Sequence, residues 1–232
     1  MMILRPGAAR GTFDFGWLAT AHSFSFGDYH DPAHMGFRSL RVINEDTLAG
    51  AGGFPTHAHA DMEIVTYILS GKLEHKDSLG TGAIISPGDA QRMSAGTGIR
   101  HSEFNASPVD PVHLLQIWLV PSERGIAPGY EQKTLPAATP GETRLDRIAS
   151  PEGGAAEVTI RSDAVVSRAL VAPGGSLDVP ITRGHAWLQV ARGSLSAGNQ
   201  PLVQGDGLAI SGITAVSLAS TEGAEVLVFD LG

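Results

Sequence analysis

The sequence predicts an all-β protein of two tandem modules, each of barrel or sandwich type, and three observations carry that expectation. Strand-length apolar segments recur between Gly, Pro and Asp punctuation, the pattern of short strands joined by tight turns that marks barrels and sandwiches. Amphipathic stretches of helical period are missing, so helices should be few and short. The chain has 232 residues, 42% of them hydrophobic and only 17% charged, which exceeds the roughly 100 to 150 residues usual for one domain and supplies a large core.

In chain order, the expected strands of the first half are SLRVI at 39–43, EIVTYIL at 63–69, AIIS at 83–86 and HLLQIWLV at 113–120. Those of the second half are RALVA at 168–172, AWLQVA at 186–191, GLAIS at 207–211, AVSLA at 215–219 and EVLVFDL at 225–231. Between Pro121 and Gly154 the text turns rich in Pro and Gly and poor in apolar runs, as an interdomain connection should. The boundary is placed near residue 134, giving modules 1–133 and 134–232. The halves also resemble each other. YILSGKLEH is followed by ISPGD, and LQVARGSLS by LVQGDGLAIS. A glycine turn (Gly71, Gly193) and then a Gly-Asp turn (Gly88-Asp89, Gly205-Asp206) recur in the same order, which predicts two copies of one β module.

A formal net charge of -8 leaves no basic surplus to neutralise phosphates, which disfavours direct nucleic-acid contact and anionic membranes. No run of about 18 apolar residues is present, and the opening MMILRPGAARGTFDF has no apolar signal core; the chain reads as cytoplasmic. With no cysteine, any metal must be held by imidazole, carboxylate and water.

FPTHAHADMEIVTYILSGKLEH sets His57 and His59 two apart, and GIRHSEFN sets His101 and Glu103 two apart. Side chains at i and i+2 of a strand share a face. Neighbouring strands with both pairs turned inward would therefore bring three imidazoles and a carboxylate to one point, a set suited to Fe(II), Mn, Co, Ni, Cu or Zn.

HAHADMEIVTYILSG resembles the first cupin motif. GIRHSEFN resembles the second, its spacing met by Gly98, His101 and Asn105. With PGDAQRMSAGTGIRHSEFN and HLLQIWLVP, the block is similar to the pirin family, and to its short bacterial members with quercetin 2,3-dioxygenase activity. That resemblance covers most of the chain and is weakest over 121–185. It implies a bicupin, two cupin barrels in tandem, with one metal in the N-terminal barrel bound by His57, His59, His101 and Glu103, Fe(II) being the expected ion. It also implies a flavonol substrate and O2, cleavage of the flavonol 2,3 bond and loss of CO. Glu103 would then be both ligand and base. The other reading the resemblance offers is a non-enzymatic, metal-dependent regulator that binds a protein partner.

One departure from the wider cupin pattern concerns Glu63. Cupins usually take a carboxylate ligand from a glutamate separated from the following glycine by six residues, and here Glu63 lies seven residues before Gly71. The spacing puts Ile64 in the ligand slot, so Glu63 is expected beside the centre rather than on the metal, although alternation from His59 would aim it inward unless a bulge intervenes. His30 and His34 flank an Asp-Pro step and read as turn residues. His22, His75 and His113 read as lone packed or surface imidazoles, His75 being a candidate to support a ligand. His185 has no paired histidine, so the second barrel is expected to bind no metal.

Overall fold

A computed structural model gives the fold, described for residues 1–137 and 139–232. The first half contains β1 (Met2–Arg5), β2 (Gly11–Asp14), β3 (Leu18–His22), β4 (Leu40–Leu48), β5 (Gly53–His59), β6 (Glu63–Ser70), β7 (Leu73–Asp77), β8 (Gly82–Ile85), β9 (Asp89–Ser94), β10 (Ile99–Asn105), β11 (Val112–Leu119) and β12 (Gly129–Thr134). The second contains β13 (Arg144–Ser150), β14 (Val158–Thr159), β15 (Ala164–Val171), β16 (Ser176–Pro180), β17 (His185–Ala197), β18 (Gln200–Val203), β19 (Gly207–Ser211), β20 (Ala215–Ala219) and β21 (Ala224–Leu231). Among the described residues the helical content is a single 3-10 turn, Gly7–Ala9.

Two sheets close the first barrel. One has the order β12-β9-β6-β11-β4-β3-β2 and the other β5-β10-β7-β8. The second barrel is built on β1-β19-β17-β21-β15-β13-β14, with β16, β18 and β20 completing it. β12 lies within the Pro- and Gly-rich connection, because GYEQKT pairs antiparallel with β9 from Gly129↔Ser94 to Thr134↔Asp89. β1 crosses over: Met2 to Arg5 pair with Ile210 to Gly207 of the second barrel, so the N-terminal strand straps the two units together. We propose a division near residue 134, with Met2–Arg5 grouped by its pairing with the second barrel.

The internal repeat is visible in the backbone. Gly71 and Gly193 have φ of 77° and 73°, and Gly88 and Gly205 have 90° and 88°, values that favour glycine. After each Gly-Asp turn the carboxylate accepts a backbone N–H three residues upstream, from Ser86 to Asp89 at 3.0 Å and from Val203 to Asp206 at 2.9 Å.

Alternation decides what each barrel contains. On β6 and β11, Val65, Tyr67, Leu69, Leu115, Ile117 and Leu119 face the second barrel and pack with Trp187, Leu227, Phe229 and Leu231 in a shared apolar layer. The opposite faces turn into the first barrel. There Leu18, Leu48, Ile68, Leu73, Ile85, Val112 and Leu114 fill one end, and Ile64, Met93, Ala95 and Ile99 pack at the other. Between these apolar plugs lies a buried polar belt that includes Thr20, Asn44, Asp46, Thr66, Gln91, His101, Glu103 and Gln116. The second barrel is filled instead by Val171, Val179, Leu188, Val190, Leu208, Val216, Leu218 and Val226, among others.

Candidate metal centre

β10 lies between β5 and β7, and its register assembles the centre. His101 faces His57 on one side and Asp77 on the other, while Glu103 faces His75. On β10 the burial alternates, with Ile99, His101, Glu103 and Asn105 inside and Arg100 and Phe104 outside. The Asn105 amide fixes the end of the strand by donating to the carbonyls of Ala49 and Asp110 at 3.0 and 2.7 Å.

His57, His59 and His101 converge, with ring centroids 4.4 to 4.9 Å apart and one ring nitrogen from each within 4.8 Å of the others. His57 Nδ1 donates to the Pro55 carbonyl at 2.9 Å, which fixes the tautomer that leaves Nε2 free as a ligand. Both ring nitrogens of buried His101 lack a hydrogen-bond partner. A buried imidazole without partners is a cost that a metal would relieve, so these side chains fit a divalent transition ion.

Glu103 joins a second, overlapping cluster. Its carboxylate lies within 4.8 Å of ring nitrogens of His101 and His75, so His101 is common to both groups. Gln116 Nε2 donates to Glu103 Oε2 at 2.8 Å, and Thr66 Oγ1 donates to Gln116 Oε1 at 2.8 Å. Burial pushes the Glu103 carboxyl up to about 7 against the Gln116 donor, and the nearby Asp46 adds to the rise. Burial holds His101 and His59 neutral in the metal-free protein: His101 is pushed down to about 2 and His59 to about 4, the neighbouring histidines adding to both shifts.

His75, which the sequence offered as a candidate to support a ligand, lies beside His101 and Glu103. It is fully buried, its Nε2 is 3.0 Å from Asp77 Oδ2, and its Nδ1 has no partner. The signal was alternation, since Leu73, His75 and Asp77 share a face while Glu74 and Lys76 form an exposed ion pair.

Glu63 stands apart. Residues 60–62 interrupt the chain between β5 and β6, with Asp61 at φ 48°, so alternation does not carry over from His59. Glu63 falls on the face of β6 turned to the second barrel, where it accepts from Ser94 Oγ at 3.0 Å and from the Arg161 N–H at 3.1 Å. His34 bonds to Asp31 within its turn at 2.8 Å, and His185 to Ser211 Oγ at 2.8 Å.

A cavity of about 470 Å3 opens beside the centre, lined by His57, His59, Glu103 and Gln116 and walled by Phe13, Phe26, Phe54 and Trp118. The Trp118 and His59 rings meet edge to face at 4.9 Å, and Phe26 meets Trp118 likewise at 5.1 Å. An apolar cavity with a few convergent polar groups has the features of a small-molecule site.

Comparison with known proteins shows what the chain is similar to. The pirin family model matches residues 5–119, and the model of the quercetinase C-terminal cupin domain matches residues 147–231. Quercetin 2,3-dioxygenase of Escherichia coli K12 is 41% identical over 232 residues, covering all of this chain and 99% of the relative. The crystal structure of YhhW from Escherichia coli superimposes with a TM-score of 0.94 at 40% identity, covering 100% of this chain and 98% of that one. That of the bacterial pirin YhhW in complex with nickel(II) gives 0.92 at 40% identity, with 100% and 99% covered.

Proposed function

The chain belongs to the pirin family, and from that premise we propose that it is a metal-dependent dioxygenase of flavonols, cleaving the 2,3 bond of a substrate such as quercetin with O2 and release of CO. The carrying observation is the convergence of His57, His59 and His101 beside an aromatic-walled cavity into which Glu103 also faces. We assign His57, His59, His101 and Glu103 as the ligands of one divalent ion. Fe(II) is the expected metal; a nickel(II) complex of a relative supports a divalent ion at such a centre. A bound divalent metal would supply Lewis acidity toward the substrate hydroxyl and open coordination positions for it and for O2.

The protein's own part is to bind, orient and move one proton. Phe13, Phe26, Phe54 and Trp118 give flat apolar walls that hold an aromatic ring system and exclude water. Glu103 is the proton acceptor for the flavonol 3-hydroxyl. In the metal-free protein burial raises its carboxyl to about 7; a bound divalent ion would favour the ionised form that accepts the proton. Gln116 holds that carboxylate in place through its 2.8 Å hydrogen bond.

The test is aerobic turnover of quercetin by protein loaded in parallel with Fe, Mn, Co and Ni, with O2 uptake and CO release measured together. Equimolar O2 consumption and CO release are expected. Stoichiometric metal binding without O2 uptake in any metal form would contradict the enzyme and favour the regulatory, protein-binding reading.

A further inference from the structure

The metal-ligand candidates occupy the four-stranded sheet, but the cavity has a second polar wall on the facing sheet. Asn44 and Asp46 lie two apart on β4, so both side chains turn inward, and both line the cavity. The fold itself gives neither a full set of partners. Asp46 is 4% exposed, and its side-chain hydrogen bond comes from the Thr20 hydroxyl alone. Asn44 is 5% exposed, and its Oδ1 has no partner. Both groups have lost water without full replacement, a cost that proteins keep where a ligand completes the bonding. His22, on the next strand, is likewise buried and has an unpartnered Nδ1. Its ring lies against Phe13 and Phe26 at 5.5 and 5.4 Å.

A carboxylate and an amide oxygen are acceptors, so the ligand must bring donors; the aromatic walls require those donors to sit on a flat ring. We propose that Asn44 and Asp46 form a hydroxyl-reading subsite on the sheet facing the metal-ligand strands. It would select aromatic substrates that carry phenolic hydroxyls beyond the oxygens presented to the metal. This inference rests on the flavonol reading above and adds the feature of the substrate that is recognised.

The experiment compares quercetin with 3-hydroxyflavone, which keeps the 3-hydroxyl and 4-carbonyl but lacks the other hydroxyls. Binding to metal-loaded protein is measured without O2 by quenching of tryptophan fluorescence. The parent should prefer quercetin by roughly 10-fold or more, and Asp46→Asn should lower that preference roughly 10-fold and Asn44→Leu roughly 3- to 10-fold. Metal content should stay at one ion per chain. Because Asn44→Leu removes an unpartnered buried polar group, its melting temperature should hold or rise, whereas a purely structural Asn44 predicts a fall. An intact preference in both variants, or a parent that binds the two flavonols equally, overturns the subsite and leaves the dioxygenase reading standing. Failure of the metal-loaded parent to bind either flavonol overturns both.

Discussion

Gln116 Nε2 donates to Glu103 Oε2 at 2.8 Å inside the first barrel, the bond that links the two sheets at the candidate centre. Gln116 is itself held by the Thr66 hydroxyl, so the carboxylate is oriented by a chain of neutral donors rather than by a cation. Gln116→Leu should lower metal affinity or turnover by the roughly 10- to 100-fold typical of lost support to a ligand, with little change in far-UV circular dichroism. Wild-type affinity and rate in this variant would remove Gln116 from the account.

Glu103 and His101 should fail differently. If Glu103 both binds metal and accepts a proton, Glu103→Gln lowers flavonol turnover by roughly 10²- to 10⁴-fold while the three imidazoles retain part of the metal. His101 is shared by both side-chain clusters, so His101→Ala should deplete the metal itself. Metal analysis and initial rates of both variants decide this; full activity in metal-replete Glu103→Gln would refute the base assignment.

In the metal-free protein, stability should depend on pH through the buried carboxyls. Burial lifts Glu103 from 4.5 to about 7 and Asp46 from 3.8 to about 6. The unfolded chain therefore releases protons that the native chain keeps. The contribution of these groups is complete below the unfolded carboxyl range and is lost as pH rises toward 7. His101 and His59, pushed down by burial to about 2 and about 4, have the opposite sign: their contribution is present above 6.5 and is lost as pH falls. Glu103→Gln isolates the first effect. Its stability relative to the parent should increase between about pH 4.5 and 7.5 by on the order of 3 kcal/mol, from a shift of 4.5 to about 7. Melting curves across that range check it, and a difference independent of pH would contradict it.

The layer between the barrels should make unfolding cooperative. Trp187 lies 4.7 Å from Phe24 across it, and a Cβ on Gly207 would sit 2.2 Å from the Trp187 ring, so the indole fills its space. Trp187→Ala should cost about 3 to 5 kcal/mol and keep a single calorimetric transition. Two separated transitions in the parent would show barrels that fold independently of this layer.

The paired spacing of His57 with His59 and His101 with Glu103 was legible because a strand repeats every two residues, and the tandem β modules because Gly71, Gly88, Gly193 and Gly205 mark turns that need positive φ. What escaped depends on register between distant strands. His75 looks solitary in the sequence and meets His101 and Glu103 only because β7 lies against β10. Glu63 sits four residues after His59 yet turns the other way, since the break at Asp61 resets the alternation. β1 joins the far end of the chain through a pairing with residues 207–210 that no local pattern encodes. Asn44 and Asp46 lie beyond the strand expected at 39–43 and belong to no local motif; β4 continues through Leu48, and both residues line the cavity.

His101 belongs to both overlapping clusters, and the position of the ion distinguishes them. Anomalous diffraction from crystals of the nickel-loaded protein settles it. One peak per chain is expected, in the first barrel, about 2.0 to 2.2 Å from an imidazole nitrogen of His57, His59 and His101 and from a Glu103 oxygen. A peak held by His75, His101 and Glu103 away from His57 and His59, or one in the second barrel near His185, would contradict it.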